Sequence, residues 1–266
     1  MTDHTEIPFA VVTGASSGIG YELARQFAEH GFDLLVTSET DRIDEAAQRL
    51  RAAGAQVESV RADLATYEGV ESLYERIRAA GRPVDAIAIN AGVGVGGPFL
   101  ENELDDELNL IALNVTSVVH LAKRVVKDMV ARDEGRILFT ASIAAEGPAP
   151  FEAVYGASKA FVLSFAEALR NELKDTNVVV TALQPGATET NFFHRAGMED
   201  TKVGAGRKSD PADVAREGFE ALMAGKDHVV SAMLKEKAMV AAGQVTPETL
   251  KAQQHRKMSE PGSANA

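Results

Sequence analysis

No cysteine occurs among the 266 residues, and that single absence excludes disulfides, thiolate metal ligands and a Cys nucleophile. No apolar run approaches the ~20 residues of a membrane span, and residues 1–6 lack the basic and apolar regions of a signal peptide. A cytoplasmic location with no membrane partner is therefore expected. Positive charge is scarce: 27 Lys and Arg stand against 39 Asp and Glu, a net charge of -12. A polyanion would meet general repulsion, so no nucleic-acid partner is expected. Internal repeats and low-complexity tracts are missing too, and no metal site is expected. What is present is ordinary for a globular chain, with 45% hydrophobic and 25% charged residues. The length suffices for one large α/β domain with a well-buried core.

From the N-terminus, short apolar runs rich in β-branched residues alternate with helical patterns. Strands are expected at 7–12, 33–37, 57–61, 84–89, 135–140 and 177–183. Helices are expected after the first strand through His30, then at 41–53, 66–80, 103–132 and 151–173. This alternation predicts a single Rossmann-like, doubly wound parallel sheet with helices on both faces and right-handed crossovers. Such sheets bind ligands at the carboxyl ends of their strands, and the chemistry-bearing residues fall there.

The first strand ends in Thr13-Gly14-Ala15-Ser16-Ser17-Gly18-Ile19-Gly20. Gly14, Gly18 and Gly20 let the backbone approach a pyrophosphate, whose charge suits the free N–H groups and positive dipole end of the next helix. A turn serving only tight packing is the alternative. The second strand leads to Ser38, Glu39 and Arg42. A carboxylate there receives ribose hydroxyls, whereas an Arg accepts a 2'-phosphate. After the third strand, Asp63 precedes Leu64, and its carboxylate either accepts from an adenine amine or caps the following helix. The fourth strand ends in Asn90-Ala91-Gly92, with Gly92 admitting a sugar or ring near the backbone. Asn114, among apolar neighbours in a helix, either satisfies a backbone group or organises water. The fifth strand leads to Ser142, and the sixth to Pro185-Gly186-Ala187-Thr188-Glu189-Thr190.

Beyond Thr190 the alternation lapses. The stretch 191–209, with Phe192, Phe193 and Met198, reads as a lid over an apolar substrate or as a patch buried against its own domain. Helices are expected at 211–224, 233–244 and 247–254, an edge strand at 228–231, and a frayed tail at 255–266. One domain results, with a core at 9–190, a lid and C-terminal helices at 191–254, and the tail.

Within the 151–173 helix, Tyr155 and Lys159 stand at i and i+4, which share one face. A phenol titrating near ~10 is a poor acid or base at neutral pH, and a neighbouring cation brings it toward working range. Alone, the pair also reads as a Tyr and a Lys on a solvated helix. In the company of Thr13 to Gly20, Asp63, Asn90-Ala91-Gly92, Asn114, Ser142 and Pro185-Gly186, it resembles the short-chain dehydrogenase/reductase family, with every motif in order across about 9–190.

The resemblance implies NAD(P)-dependent hydride exchange between an alcohol and a carbonyl. Tyr155 is implied to give or take the alcohol proton while Ser142 hydrogen-bonds the substrate oxygen. Lys159 is implied to favour the phenolate and hold the nicotinamide ribose, and Asn114 to anchor a water that relays protons to Lys159. The cofactor is expected against Gly14, Ser16, Ser17, Gly18, Ile19, Gly20, Ser38, Glu39, Arg42, Asp63, Leu64, Asn90, Ala91, Gly92, Tyr155, Lys159, Pro185, Gly186, Thr188 and Thr190. Ser38 stands where NAD-preferring relatives carry Asp, and Glu39 where NADP-preferring relatives carry Arg. A Glu39 carboxylate repels a 2'-phosphate, so NAD(H) is favoured, with NADP(H) held by Arg42 as the alternative. Val93, Phe151, Phe192 and Phe193, without clustered Arg or Lys, suggest a small-molecule alcohol or carbonyl substrate of apolar character. A homodimer or larger homo-oligomer is implied. The stretch Gly225-Lys226-Asp227 departs from the Asp-Gly-Gly ending of the acyl-carrier-protein-reductase-like tetramers. The reading from a different class is a non-catalytic dinucleotide-binding regulator or scaffold of the same fold.

Overall fold

The computed structural model describes residues 7–52, 54–243 and 246–265. The apolar runs become β1 (Phe9–Thr13), β2 (Asp33–Ser38), β3 (Val57–Arg61), β4 (Ala86–Ile89), β5 (Gly135–Thr140), β6 (Val178–Pro185) and an edge strand β7 (His228–Ser231). Between them lie α1 (Gly18–Glu29), α2 (Arg42–Arg51), α3 (Tyr67–Ala79), α4 (Leu104–Ile111), α5 (Ser117–Arg132) and α6 (Ala153–Glu172). The later helices are the short α7 (Phe192–Arg195) and α8 (Lys202–Ala205), then α9 (Pro211–Met223), α10 (Leu234–Gly243) and α11 (Glu248–Ser259).

The strands form one sheet in the order β3-β2-β1-β4-β5-β6-β7, every pairing parallel. Strand order reverses between β1 and β4, which opens a crevice at their carboxyl ends. Alternate strand residues face two apolar layers. Val11, Ile87, Ile137 and Phe139 meet Leu73 of α3, Leu121 and Met129 of α5 and Val162 of α6. Val12, Val36, Leu138 and Leu183 meet Leu23 and Phe27 of α1, Ile43 and Leu50 of α2, and Val214 and Phe219 of α9. Burial on both faces explains why the strands read as continuous apolar runs. Each fully buried Leu or Phe contributes roughly 1.5–3 kcal/mol, so these layers are what holds the crevice open in one shape.

Three expectations are corrected. The 103–132 helix is not regular: a π turn, Ala112–Thr116, joins α4 to α5 and carries Asn114. The 151–173 helix starts only at Ala153, because Phe151 takes a positive φ of 66° and Glu152 a non-helical φ of -143°. Residues 255–264 are docked rather than frayed. Helix α11 continues to Ser259, which is buried, while the Gly262 N–H donates to the Asp200 carboxylate and the Ala264 N–H to the Asp200 carbonyl. Polar contacts to distant residues hold this segment, so no apolar stripe announced it.

Of the two readings of 191–209, the structure gives a small core of its own, in which Phe193, Ala196 and Met198 pack with Ala187, Phe192 and Val203. Residues 1–6, the expected helix ends at Ala53 and Gln244, and the terminal Ala266 lie outside the described residues. No helix of the described residues is long and apolar enough to cross a membrane.

Candidate active site

The glycine turn is dictated by lack of space. Gly14 and Gly18 take φ of +68° and +57°, and a Cβ on Gly14 would sit 2.9 Å from the Ala91 Cα. A Cβ on Gly20 would overlap the Gly14 carbonyl oxygen and come 2.5 Å from Asn90 Nδ2. Ser17 caps α1 without a side-chain bond to the helix, and no acidic residue occupies the first turn. The positive end of α1 is therefore uncovered and faced by bare backbone. A cradle that a Cβ would fill, at a free helix N-terminus, fits the pyrophosphate of a dinucleotide.

Asn90 has a structural task that sequence reading did not separate from binding. The Thr13 hydroxyl accepts from the Asn90 and Ala91 N–H groups at 2.9 and 3.0 Å. The Asn90 amide donates to the Thr13 carbonyl at 3.1 Å and accepts from the Thr140 hydroxyl at 3.1 Å. It thus ties the ends of β1, β4 and β5 together at the crevice. Asn114 resolves toward its backbone-satisfying alternative. Its oxygen accepts from the Val93 N–H and its nitrogen donates to the Val93 carbonyl, both at 2.9 Å, with a further bond to Ser158 Oγ at 3.1 Å. Asn114 Oδ1 and Lys159 Nζ lie 3.0 and 3.4 Å from the point a Gly92 Cβ would occupy, so that glycine holds space beside both.

Tyr155 and Lys159 are 8% and 6% exposed. The ammonium sits 5.9 Å from the centre of the Tyr155 ring and donates to the Thr140 carbonyl at 2.9 Å. Burial pushes the phenol well above its ordinary range. A hydrogen bond with Ser142 pulls it back, and the Glu152 charge pushes it further up. Burial also lowers Lys159 from 10.5 to about 8. The expected lowering of the phenol by Lys159 does not appear in the protein alone, where burial sets the direction and the opposing pull comes from Ser142. The phenol stays protonated across the neutral range, the form that can donate. Ser142 stands two residues beyond β5 and caps the short 3-10 turn Ile143–Glu146, accepting from the Ala144 N–H at 3.1 Å.

At the far end, Ser38 Oγ donates to the Thr40 carbonyl at 3.1 Å, while Glu39 and Arg42 are both exposed. Asp63 does not cap α3. Its carboxylate accepts from the Ala65 N–H, and the Thr66 hydroxyl is the cap, accepting from Gly69. On the opposite wall the Thr188 hydroxyl donates to the Gly186 carbonyl and Thr190 accepts from the Phe192 N–H.

The catalytic and cofactor-binding residues expected from the sequence, except Asn114, line one cleft of about 800 Å³, together with Val93, Phe192 and Phe193 but not Phe151, which the sequence placed in the apolar substrate wall. Asn114 lies behind its wall, buried under the Val93 loop. Sequence reading missed the cover. Glu146, Glu152, Glu236, Lys251, His255 and Ser259 also line the cleft. Lys251 Nζ donates to the Glu146 carbonyl, and His255 and Ser259 meet Glu152. Pairs more than 100 residues apart carry no local spacing that could reveal them.

The comparisons with known proteins agree with this geometry. The short chain dehydrogenase family profile matches residues 8–200. The oxidoreductase UcpA of Salmonella typhimurium is 30% identical over 214 residues, covering 80% of this chain and 79% of that protein. A short-chain dehydrogenase from Sphingobium yanoikuyae, solved in complex with NADPH, superposes with a TM-score of 0.80 at 30% identity, over 89% of this chain and 94% of that one. A short chain dehydrogenase/reductase from Burkholderia phymatum, solved in complex with NAD, gives 0.81 at 27% identity, over 92% and 95%. A doubly wound sheet with a dinucleotide cradle and a buried tyrosine at its crevice defines a nicotinamide-dependent oxidoreductase. The chain belongs to the short-chain dehydrogenase family.

Proposed function

We propose that this protein interconverts an alcohol and a carbonyl, with Tyr155 as the general acid and base. The observation that carries the reading is that Tyr155, Lys159 and Ser142 are buried together in the cleft that also contains the glycine cradle. In reduction, Tyr155 donates its phenolic proton to the substrate oxygen; in oxidation it takes that proton back. The Ser142 oxygen accepts from Ala144, and its hydroxyl hydrogen, which meets the Tyr155 phenol in the ligand-free site, turns to the substrate oxygen as negative charge develops there. Lys159 spends one N–H on Thr140, so the others are left for ribose hydroxyls and for stabilising the phenolate once formed. Asn114 acts as a positioning residue, fixing the Val93 loop and, through Ser158, the first turn of α6. When bound, NAD(P)(H) supplies or accepts the hydride. Tyr155→Phe is expected to bind NADH as the wild type does while turnover falls about 100-fold or more. Near-normal turnover in the folded variant would sink the assignment.

We further infer that NAD(H) binds more tightly than NADP(H). The exposed Glu39 at the end of β2 would face a 2'-phosphate with like charge, worth roughly tenfold in relative affinity. Fluorescence titration with NADH and NADPH in the same experiment decides it, and tighter NADPH binding that weakens on Arg42→Ala would reverse the order. A homodimer is also proposed, because Leu104, Leu108 and Ile111 form an exposed apolar stripe on α4 at i, i+4 and i+7.

A further inference from the structure

Glu152 is 7% exposed, lines the cleft, and stands three residues before Tyr155. Its Oε2 accepts from His255 Nε2 and from Ser259 Oγ, each at 2.9 Å, which ties α11 to the start of α6. His255 Nε2 and Ser259 Oγ are themselves 3.2 Å apart. One ring nitrogen therefore meets both oxygens, whereas a nucleophilic relay needs the carboxylate on one nitrogen and the hydroxyl on the other. The trio is not a hydrolytic triad.

The other carboxylate oxygen is different. Among the described residues Glu152 Oε1 has no hydrogen-bond partner, yet it is not among the buried polar atoms sealed off without one, which are Thr37 Oγ1, Glu107 Oε2 and Arg132 Nε. It is an acceptor on a nine-tenths buried side chain that opens on the cleft. A buried polar atom without a partner is costly, and an ionised carboxylate can only accept. Resting on the alcohol–carbonyl reading above, we propose that the substrate carries, besides the group that meets Tyr155, a second hydroxyl that donates to Glu152 Oε1.

A second carbonyl, a carboxylate or a phosphate would set acceptor against acceptor at that oxygen. Val93, Ile143, Phe192 and Met258 contribute apolar surface to the same cleft and suit a carbon skeleton between the two hydroxyl positions. His255 and Ser259 act as positioning residues. By occupying Oε2 they hold the carboxylate in one orientation, so that Oε1 is the only oxygen left to a ligand. The Glu152 charge also bears on the Tyr155 phenol, which places the two groups close enough for one small molecule to reach both.

The test compares kcat/KM for cyclohexanol and for trans-1,2-, trans-1,3- and trans-1,4-cyclohexanediol, with NAD and with NADP, in the wild type, Glu152→Gln and Glu152→Leu. The wild type is expected to prefer at least one diol over cyclohexanol by ten- to a hundredfold, the size of a hydrogen bond to a charged group. Glu152→Leu should abolish that preference, and Glu152→Gln, which keeps the shape and one acceptor, should reduce it. The readout is the ratio between two substrates on one variant, which a general loosening of α11 does not move, and NADH titration certifies that each variant is folded. Turnover of cyclohexanol without any diol advantage, or an advantage that survives Glu152→Leu, overturns this inference and leaves the alcohol–carbonyl reading intact. Failure to oxidise any of the four alcohols or to reduce the matching ketones overturns both.

Discussion

Burial acts on the two central side chains in opposite senses, because it disfavours whichever form is charged: the Tyr155 phenol is pushed up and the Lys159 ammonium down, to about 8. A fall from 10.5 to about 8 is a cost to the charged form of roughly 3 kcal/mol. The folded state therefore binds that proton less readily than the unfolded chain, and the penalty is fully present below about pH 8. It is lost as the pH rises toward the unfolded value of about 10.4. Lys159→Met is expected to raise the Tm of the ligand-free protein relative to the wild type at pH 7. That advantage should narrow by a few °C between pH 7 and pH 10. Differential scanning calorimetry at the two pH values checks it, and a pH-independent difference would show that Lys159 is not the group responsible. The site gives up stability at Lys159 for a cation beside the phenol.

At the scale of elements, the β1–α1 turn is the part most tightly specified by sequence. Gly20→Ala has nowhere to put its methyl group except into the Gly14 carbonyl and the Asn90 amide, the same amide that ties β1, β4 and β5. Forced overpacking of this kind typically costs 1–3 kcal/mol. The variant is expected to lose that much stability in urea unfolding and to lose NADH binding with it, whereas unchanged NADH affinity would show that the turn does not form the cradle. This turn was legible because its chemistry is local: strand, glycines and helix follow one another within a dozen residues, as do Tyr155 and Lys159. The strands were legible for the same reason, since burial on both faces leaves a continuous apolar run. The π turn at Asn114 was not legible, as the two reciprocal bonds that reward it come from Val93, on the far side of a loop. Nor was the cover of the cleft. Helix α11 carries no continuous apolar stripe, and it and the residues that follow it are held by polar contacts to Glu152, Glu146 and Asp200.

For the whole molecule, the open question of assembly falls on the apolar surface left uncovered beside the site. Leu104, Leu108 and Ile111 are 69%, 52% and 40% exposed, and Phe99 and Leu100 extend the patch just before α4. Neighbouring turns of α4 place them in line, whereas the buried Leu110 shows that the opposite face already packs inward. A row of exposed apolar side chains on one helix face is what an interaction surface requires, because single exposed leucines are ordinary but a row of them is not. A second copy of the chain is the occupant proposed, since a patch on a helix can meet its own image about a two-fold axis. Fully burying each Leu or Ile would contribute roughly 1.5–3 kcal/mol. The wild type is expected to elute as a dimer or larger closed oligomer in size-exclusion chromatography with light scattering. Leu104→Glu combined with Leu108→Glu should shift it toward the monomer, because each carboxylate would be desolvated against its image. The Asn114 turn continues the same helix and holds the Val93 loop, so monomerisation should also weaken substrate binding more than NADH binding. A wild type that is monomeric at micromolar concentration, or a double variant that keeps the wild-type mass, would remove α4 as the interface.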